Sequence, residues 1–261
     1  MGQGVKRIRG GSGLGDAIYL RPIVEHFLRA GERVQVCSNY PDVFCGLDIQ
    51  VETFNRNNID VLAHYTAGKL TAGMNQWQDI CASAKVSVPL SFEWTVRNLA
   101  LVDGLRAEAA GRPIIVVHAG RVPMARTDGF GKELLPERAA VDAVLEELAD
   151  CLIVQIGKDG QQYTLKTEVD LSGRTSITDI FDLAVSVDGF VGQCSFIIPL
   201  AEAFDKPLLV VWAAAGMSPA RHYYIRAITP RKVLSKQSSR FVVDDWAIGK
   251  IQEEARAFRD F

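Results

Sequence analysis

Residues 10–16 read Gly-Gly-Ser-Gly-Leu-Gly-Asp and stand between a short apolar-alternating segment, Val5–Arg9, and a stretch with helical spacing. Glycines at such a turn let the backbone come close to a ligand and aim free N–H groups at an anion. Two familiar phosphate loops do not fit. G-x-G-x-x-G fails because Asp16 stands where its last glycine would be, and no acid closes the next strand candidate, Val36-Cys37-Ser38-Asn39. G-x-x-x-x-G-K-[ST] fails because Gly15 is followed by Asp16 rather than lysine. The distinctive group is a carboxylate at the first turn of a helix. Such a group either caps the helix and complements its dipole or serves as a general base for a hydroxyl.

Further chemistry is carried by later loops. Gly120–Lys132 follows a strand candidate ending at His118 and supplies Arg121, Arg126 and Lys132, which suit a diphosphate clamp or a solvated loop. Ser172–Ser176 and Gly192-Gln193-Cys194-Ser195 each stand at the start of a helix that follows a strand, where hydroxyls and N–H groups can meet a phosphate or ribose. Cys194 reads as a small buried residue, because the four histidines (His26, His64, His118, His222) show no pairing signature for a catalytic thiol. No D-x-D and no His/Cys/acid cluster has metal-ligand spacing. The stretch Arg226–Arg240 holds five Lys/Arg and no acid; it suits a solvated surface or contact with an acidic partner such as nucleic acid.

These loops need a frame. Ala17, Ile18, Leu20, Ile23, Val24, Phe27 and Leu28 recur at helical spacing up to Gly31, with Pro22 tolerable if it falls in the first turn or two. Strands follow at Arg33–Ser38 and Ile49–Phe54. Residues 55–100 show no strong strand run, only a helix around Asn75–Ala84. A helix around Arg97–Ala110 ends at Gly111-Arg112-Pro113, the best linker candidate. The rhythm then restarts: strand Ile114–His118, helix Pro136–Ala149, strand Cys151–Ile156 ending at Gly157, short strand Val169–Leu171. A helix Ile177–Val187 capped by Thr175 or Ser176 comes next, then strand Gly189–Val191, helix Phe196–Phe204, strand Leu208–Trp212 and a last helix from about Asp245 to Phe258. This is an α/β alternation interrupted once.

The 261 residues carry 29 Lys+Arg against 31 Asp+Glu, with 48% hydrophobic and 23% charged residues, which excludes a disordered or collagen-like chain. A net charge of -2 supplies no global attraction to nucleic acid or anionic membrane. Five cysteines without a CxxC suggest neither a zinc knuckle nor a disulfide framework. The opening MGQGVKRIRGG has no apolar segment of a leader, and no run approaches a membrane span; a cytoplasmic protein is the expectation.

Taken in order, the loops resemble those of the ADP-heptose:lipopolysaccharide heptosyltransferases, glycosyltransferase family nine. Gly13-Leu14-Gly15-Asp16 with Pro22 resembles the family's L-G-D loop. His118-Ala119-Gly120 resembles H-P-G, and Gly131-Lys132 through Pro136 the later G-K…W-P. Asp170–Ser176 resembles D-L-T-G-K-T-S. Gly192–Ser195, Leu200–Ala203 and Lys206-Pro207 resemble G-N-D-S-G-P-x-H-L-A-A-A-L-G-K-P. The match is good over about residues 113–212 and thin over 35–110.

The resemblance implies two Rossmann-like lobes of the GT-B type with a cleft between them: an acceptor lobe over 1–110, a nucleotide-sugar lobe over 111–240, and a final helix over 241–261 packing back on the first lobe. It implies an inverting, metal-independent glycosyltransferase with no cofactor, taking a nucleotide-diphosphate sugar, ADP-linked in the family, to an acceptor hydroxyl. Asp16 falls at the family's catalytic position. The donor-binding set is Gly13, Gly15, His118, Gly120, Arg121, Lys132, Gly157, Thr175, Gln193 and Ser195. The chain departs from the family where D-S-G-P-x-H becomes Cys194-Ser195-Phe196-Ile197-Ile198-Pro199, and where Ala119 replaces the proline of H-P-G. The alternatives are an inactive nucleotide-sugar-binding protein and a transferase acting on a modified nucleic-acid base.

Overall fold

Strand β1 (Lys6–Arg9) runs directly into the glycine loop and helix α1 (Leu14–Arg29), and every later strand of the molecule runs parallel to its sheet neighbours. The structure is a computed structural model that describes residues 4–53, 57–65, 73–120, 136–158, 165–214 and 230–260. Its first sheet joins β1 to β2 (Val34–Cys37), β3 (Gln50–Glu52) and β4 (Val61–Leu62) in the order β3-β2-β1-β4. The second contains β5 (Ile114–His118), β6 (Leu152–Gln155), β7 (Val169–Asp170), β8 (Gly189–Gly192), β9 (Leu208–Trp212) and β10 (Arg240–Val243), in the order β10-β9-β8-β5-β6-β7. That is the doubly wound order of dinucleotide-binding sheets. In both sheets the order reverses beside the first strand, between β1 and β4 and between β5 and β8. Ligands of open parallel sheets bind outside the carboxyl ends of the strands at such a reversal.

The helices are α1, α2 (Gln76–Ala84), α3 (Leu99–Ala109), α4 (Arg138–Glu146), α5 (Ile177–Ser186), α6 (Ile197–Ala203), the short α7 (Pro230–Val233) and α8 (Ile248–Arg259), with a 3-10 turn at Pro41–Phe44. Helix α1 begins at Leu14, earlier than expected, so Pro22 lies in its third turn and not its first two. Asn75 and Asn98 cap α2 and α3 through the backbone N–H groups of Gln78 and Leu101. Helix α3 packs on β5 and α5, so Gly111-Arg112-Pro113 is the turn between α3 and β5 within one layer. The sequence signal for such a turn and for a linker is the same, since Ala110 and Gly111 end the helix in left-handed conformations.

One apolar cluster runs from Ile8, Ile18 and Ile23 in the first unit through Trp77 and Phe92 to Phe181, Phe190 and Trp212 in the second. The opposite face of the second sheet has its own cluster, Ile115, Val117, Ile153, Val191 and Leu209. Val141 and Val144 of α4 cover it together with Ile251, Ala255 and Phe258 of α8. The last helix therefore lies on α4, β9 and β10 and not back on the first unit as expected. A parallel sheet must be covered on both faces, and α4 alone is too short to cover six strands. The described part of the basic stretch is also tied down. Buried Glu202 accepts hydrogen bonds from the backbone N–H groups of Ser235 and Lys236 and from the hydroxyls of Ser235 and Ser239. Lys236 pairs with Asp205, Arg240 with Glu254, and Arg231 lies over the Phe241 ring. No helix of the described residues is long and apolar enough to cross a membrane.

Candidate active site at the two sheet reversals

The first reversal presents Asp16. At the third position of α1, its Oδ2 accepts a 2.9 Å hydrogen bond from the Gly13 N–H, one of the orphan donors of the helix start. The capping reading is thus correct for one oxygen, and this is the carboxylate's one hydrogen bond among the described residues. The carboxylate folds back over Gly11, where a Cβ would lie 2.4 Å from the Asp16 Cγ. A side chain at position 11 would displace the carboxylate from this place. Burial pushes the Asp16 carboxyl above the usual carboxylate range, opposed by the Gly13 hydrogen bond and by His64.

His64 carries no motif in the sequence. It follows β4, a strand of only two residues in a segment without a strand signal. The Ala63 N–H donates to the Arg9 carbonyl at 2.8 Å, which carries the β1–β4 pairing to the edge of the glycine loop. The His64 ring donates Nδ1–H to the Tyr65 carbonyl at 2.7 Å and stacks on the Tyr65 ring.

The second reversal is neutral. His118, at the end of β5, shares a 3.0 Å hydrogen bond between Nδ1 and the Ser195 hydroxyl, and its ring leans on Phe196. Burial lowers its pKa to about 4, so the imidazole is uncharged near neutrality. Ser195 Oγ also accepts a long bond from the Ile197 N–H at the start of α6. Gln193 is buried; its side-chain oxygen accepts from the Gly120 N–H at 3.0 Å and its own N–H donates to the His118 carbonyl. Gln193 and Gly120 therefore brace each other. Burial pushes the Cys194 thiol up to about 12, which leaves it unreactive.

Gly157 and Thr175 lie one strand further out on the same edge. The Gly157 carbonyl accepts from the Gly173 N–H at 2.7 Å. Ser176, not Thr175, caps α5: its hydroxyl accepts from the Asp179 N–H, and Asp179 returns a bond to the Ser176 N–H. Arg121, Arg126 and Lys132 lie outside the described residues.

The two reversals meet. A Cβ on Gly15 would stand 3.3 Å from the Phe196 Cα, so α1 and the start of α6 touch backbone to backbone at this point. One turn along α1, the buried Tyr19 hydroxyl has no hydrogen-bond partner among the described residues, and burial first, then the charges of Glu202, Cys194 and Asp16, raise it well above its ordinary range. Behind the junction, buried Asp182 of α5 accepts from Trp94 Nε1 at 2.7 Å, from the Asn98 N–H at 2.7 Å and from the Arg97 N–H at 3.1 Å. The 94–98 segment, which leads from one unit to the other, is thereby fixed to the second.

Two parallel sheets whose reversals face each other across a junction define the GT-B fold, the class to which this structure belongs. Solved structures share it over nearly the whole chain. E. coli ADP-heptose LPS heptosyltransferase II superposes with a TM-score of 0.65 at 14% identity, over 98% of each chain. A family nine glycosyltransferase from Veillonella parvula gives 0.61 at 10% identity, over 97% of each. E. coli heptosyltransferase WaaC with ADP gives 0.50 at 12% identity, over 98% of this chain and 100% of that one. No family profile and no curated protein matches the sequence.

Proposed function

We propose that the protein is a glycosyltransferase that moves a sugar from a nucleoside-diphosphate donor to an acceptor hydroxyl with inversion. The observation that carries the reading is the Asp16 carboxyl: partly buried, held among the described residues by one hydrogen bond to one oxygen, and one residue from the contact with the donor-side helix α6. Asp16 takes the proton of the acceptor hydroxyl as that oxygen attacks the anomeric carbon from the side opposite the leaving diphosphate. The anion forming at the second reversal is met by N–H groups at the starts of α5 and α6, by the neutral His118–Ser195 pair, and by Lys132 with Arg121 or Arg126. The donor is ADP-linked, as in the heptosyltransferase structures that share the fold, and the protein acts in the cytoplasm. The transfer needs no metal, so turnover survives EDTA; loss of activity restored by a divalent ion would overturn that part.

The test is release of nucleoside diphosphate from a panel of nucleotide sugars, ADP-heptose included, by the native protein and by Asp16→Asn. Turnover falls on the order of 100- to 10,000-fold in the variant while nucleotide affinity is kept. Equal turnover removes Asp16 from the mechanism.

A specific observation favours a second reading, an inactive binding protein. Cys194 and Pro199 stand where the resembled family has an acid and a histidine, and Ile197, Ile198 and Pro199 are all buried, so the first turn of α6 offers a donor sugar no polar side chain. Tight nucleotide binding without release from any donor would select it. A nucleic-acid acceptor is disfavoured by the pairing of Lys236 and Arg240 with acids.

A further inference from the structure

A second cleft, of about 850 Å³, lies between α1, the end of the 3-10 turn and the 89–97 segment. Its size is that of a small-molecule site, and no step of the proposed transfer uses it. Five residues along an α-helix turn a side chain roughly 140° away, so Arg21 enters this cleft from a different side of α1 than the one that carries Asp16.

The floor is a guanidinium held out of water. The Arg21 side chain is only 5% exposed. Its Nε donates to Glu25 at 3.0 Å, its Nη1 to the Val43 and Cys45 carbonyls, and its Nη2 to the Glu93 carbonyl at 3.4 Å. The guanidinium carbon lies 4.8 Å from the Phe92 ring centre and 5.2 Å from that of Trp94. Arg21 is thus spent on structure: it ties the turn and the 92–94 segment to α1.

Arg97 is not spent. Its backbone N–H is held by Asp182, and its guanidinium carbon lies over the Trp94 ring at 5.4 Å. The side chain reaches toward the turn, where a Cβ on Gly46 would stand 3.7 Å from Nη2. Among the described residues this guanidinium has neither an ion-pair partner nor a hydrogen-bond acceptor. The charge around it is unequal. Three arginines and two glutamates line the cleft, and Glu25 is shared between Arg21 and Arg29, the latter at 3.6 Å. Even with the Glu93 side chain counted, one positive charge is in excess. Leu28, Leu47 and Phe92 make the adjoining wall apolar.

We propose that this cleft binds an organic monocarboxylate, its head on the Arg97 guanidinium and its apolar body along Leu28, Leu47 and Phe92. A carboxylate matches the planar fork of an arginine with two parallel hydrogen bonds and cancels the single surplus charge, whereas a phosphate monoester brings nearly two charges.

The test is a titration of the folded full-length chain with octanoate, with octanol as the body alone and inorganic phosphate as a head alone. Binding is read by calorimetry and by fluorescence, since Trp94 alone of the four tryptophans lines the cleft. Octanoate binds saturably, about tenfold or more tighter than octanol and tighter than phosphate, and ADP does not displace it. The fluorescence response vanishes in Trp94→Phe. Arg97→Gln removes the margin over octanol and Arg97→Lys keeps part of it, both with the native melting temperature, because Asp182 holds only the backbone of residue 97. Octanoate affinity equal to that of octanol or of phosphate overturns the proposal. So do equal octanoate affinities in the native chain and Arg97→Gln, a fluorescence response that persists in Trp94→Phe, and displacement by ADP, which would move the site to the sheet reversals.

Discussion

The β1/β4 and β5/β8 reversals follow one backbone plan and carry opposite chemistry. The first presents a carboxylate on a loop of glycines, which burial raises above the usual carboxylate range. The second is a set of neutral donors and acceptors that satisfy one another, His118 with Ser195 and Gln193 with Gly120, around the half-buried Cys194 thiol. A wall whose own hydrogen bonds are closed has its dipoles fixed before a ligand arrives, which is what stabilising a developing anion requires. A wall that must accept a proton needs a group whose pKa lies within reach of the working pH. Under the proposed function, the difference gives proton transfer to the first unit and leaving-group binding to the second.

That division can be broken most severely at Gly11. Gly11→Ala puts a methyl group on the Asp16 carboxyl, and transfer falls on the order of 100-fold or more while nucleotide affinity, read by calorimetric titration, is unchanged; equal losses in both would merge the two roles. The pH dependence has the same origin. The rate needs ionised Asp16, and burial raises its pKa, so the rate is full above that raised pKa and is lost as pH falls through it, at a higher pH than for an ordinary exposed aspartate. His118, with its pKa near 4, adds no limb around neutrality. A smaller effect is expected at Ser195. Ser195→Ala removes the partner of His118 Nδ1 and of the Ile197 N–H, worth about 1 kcal/mol, and nucleotide affinity weakens about three- to tenfold with the acid limb unmoved. Cys194→Ser changes neither rate nor affinity measurably, and iodoacetamide leaves the native activity intact, because the thiol stays protonated.

Much of the second unit is legible in the sequence because its strands are buried on both faces and read as apolar runs; Leu208–Trp212 has the expected bounds and Ile114–His118 likewise. Strands that draw their order from neighbours are not legible this way. Val61–Leu62 is two residues long and partly exposed, and it exists because β1 offers it an edge, so His64 goes unnoticed with it. Arg240–Val243 is hidden by the charge run it closes. Asp16 is found from spacing alone. The approach of Ala63 to the glycine loop beside it is not, since that is made by the pairing of β1 with β4 and not by any local pattern. The position of α8 is likewise a tertiary outcome: its apolar Ile251, Ala255 and Phe258 show which side is sticky without saying which sheet lacks cover.

The unbroken packing from Ile18 through Phe92 to Phe181 and Trp212 gives the two halves a single thermodynamic fate. Neither sheet can lose its structure without stripping the other of neighbours, so calorimetry should record one melting transition whose van't Hoff and calorimetric enthalpies coincide, and a bound nucleotide should raise the melting temperature of the half it never touches by as much as that of the half that holds it.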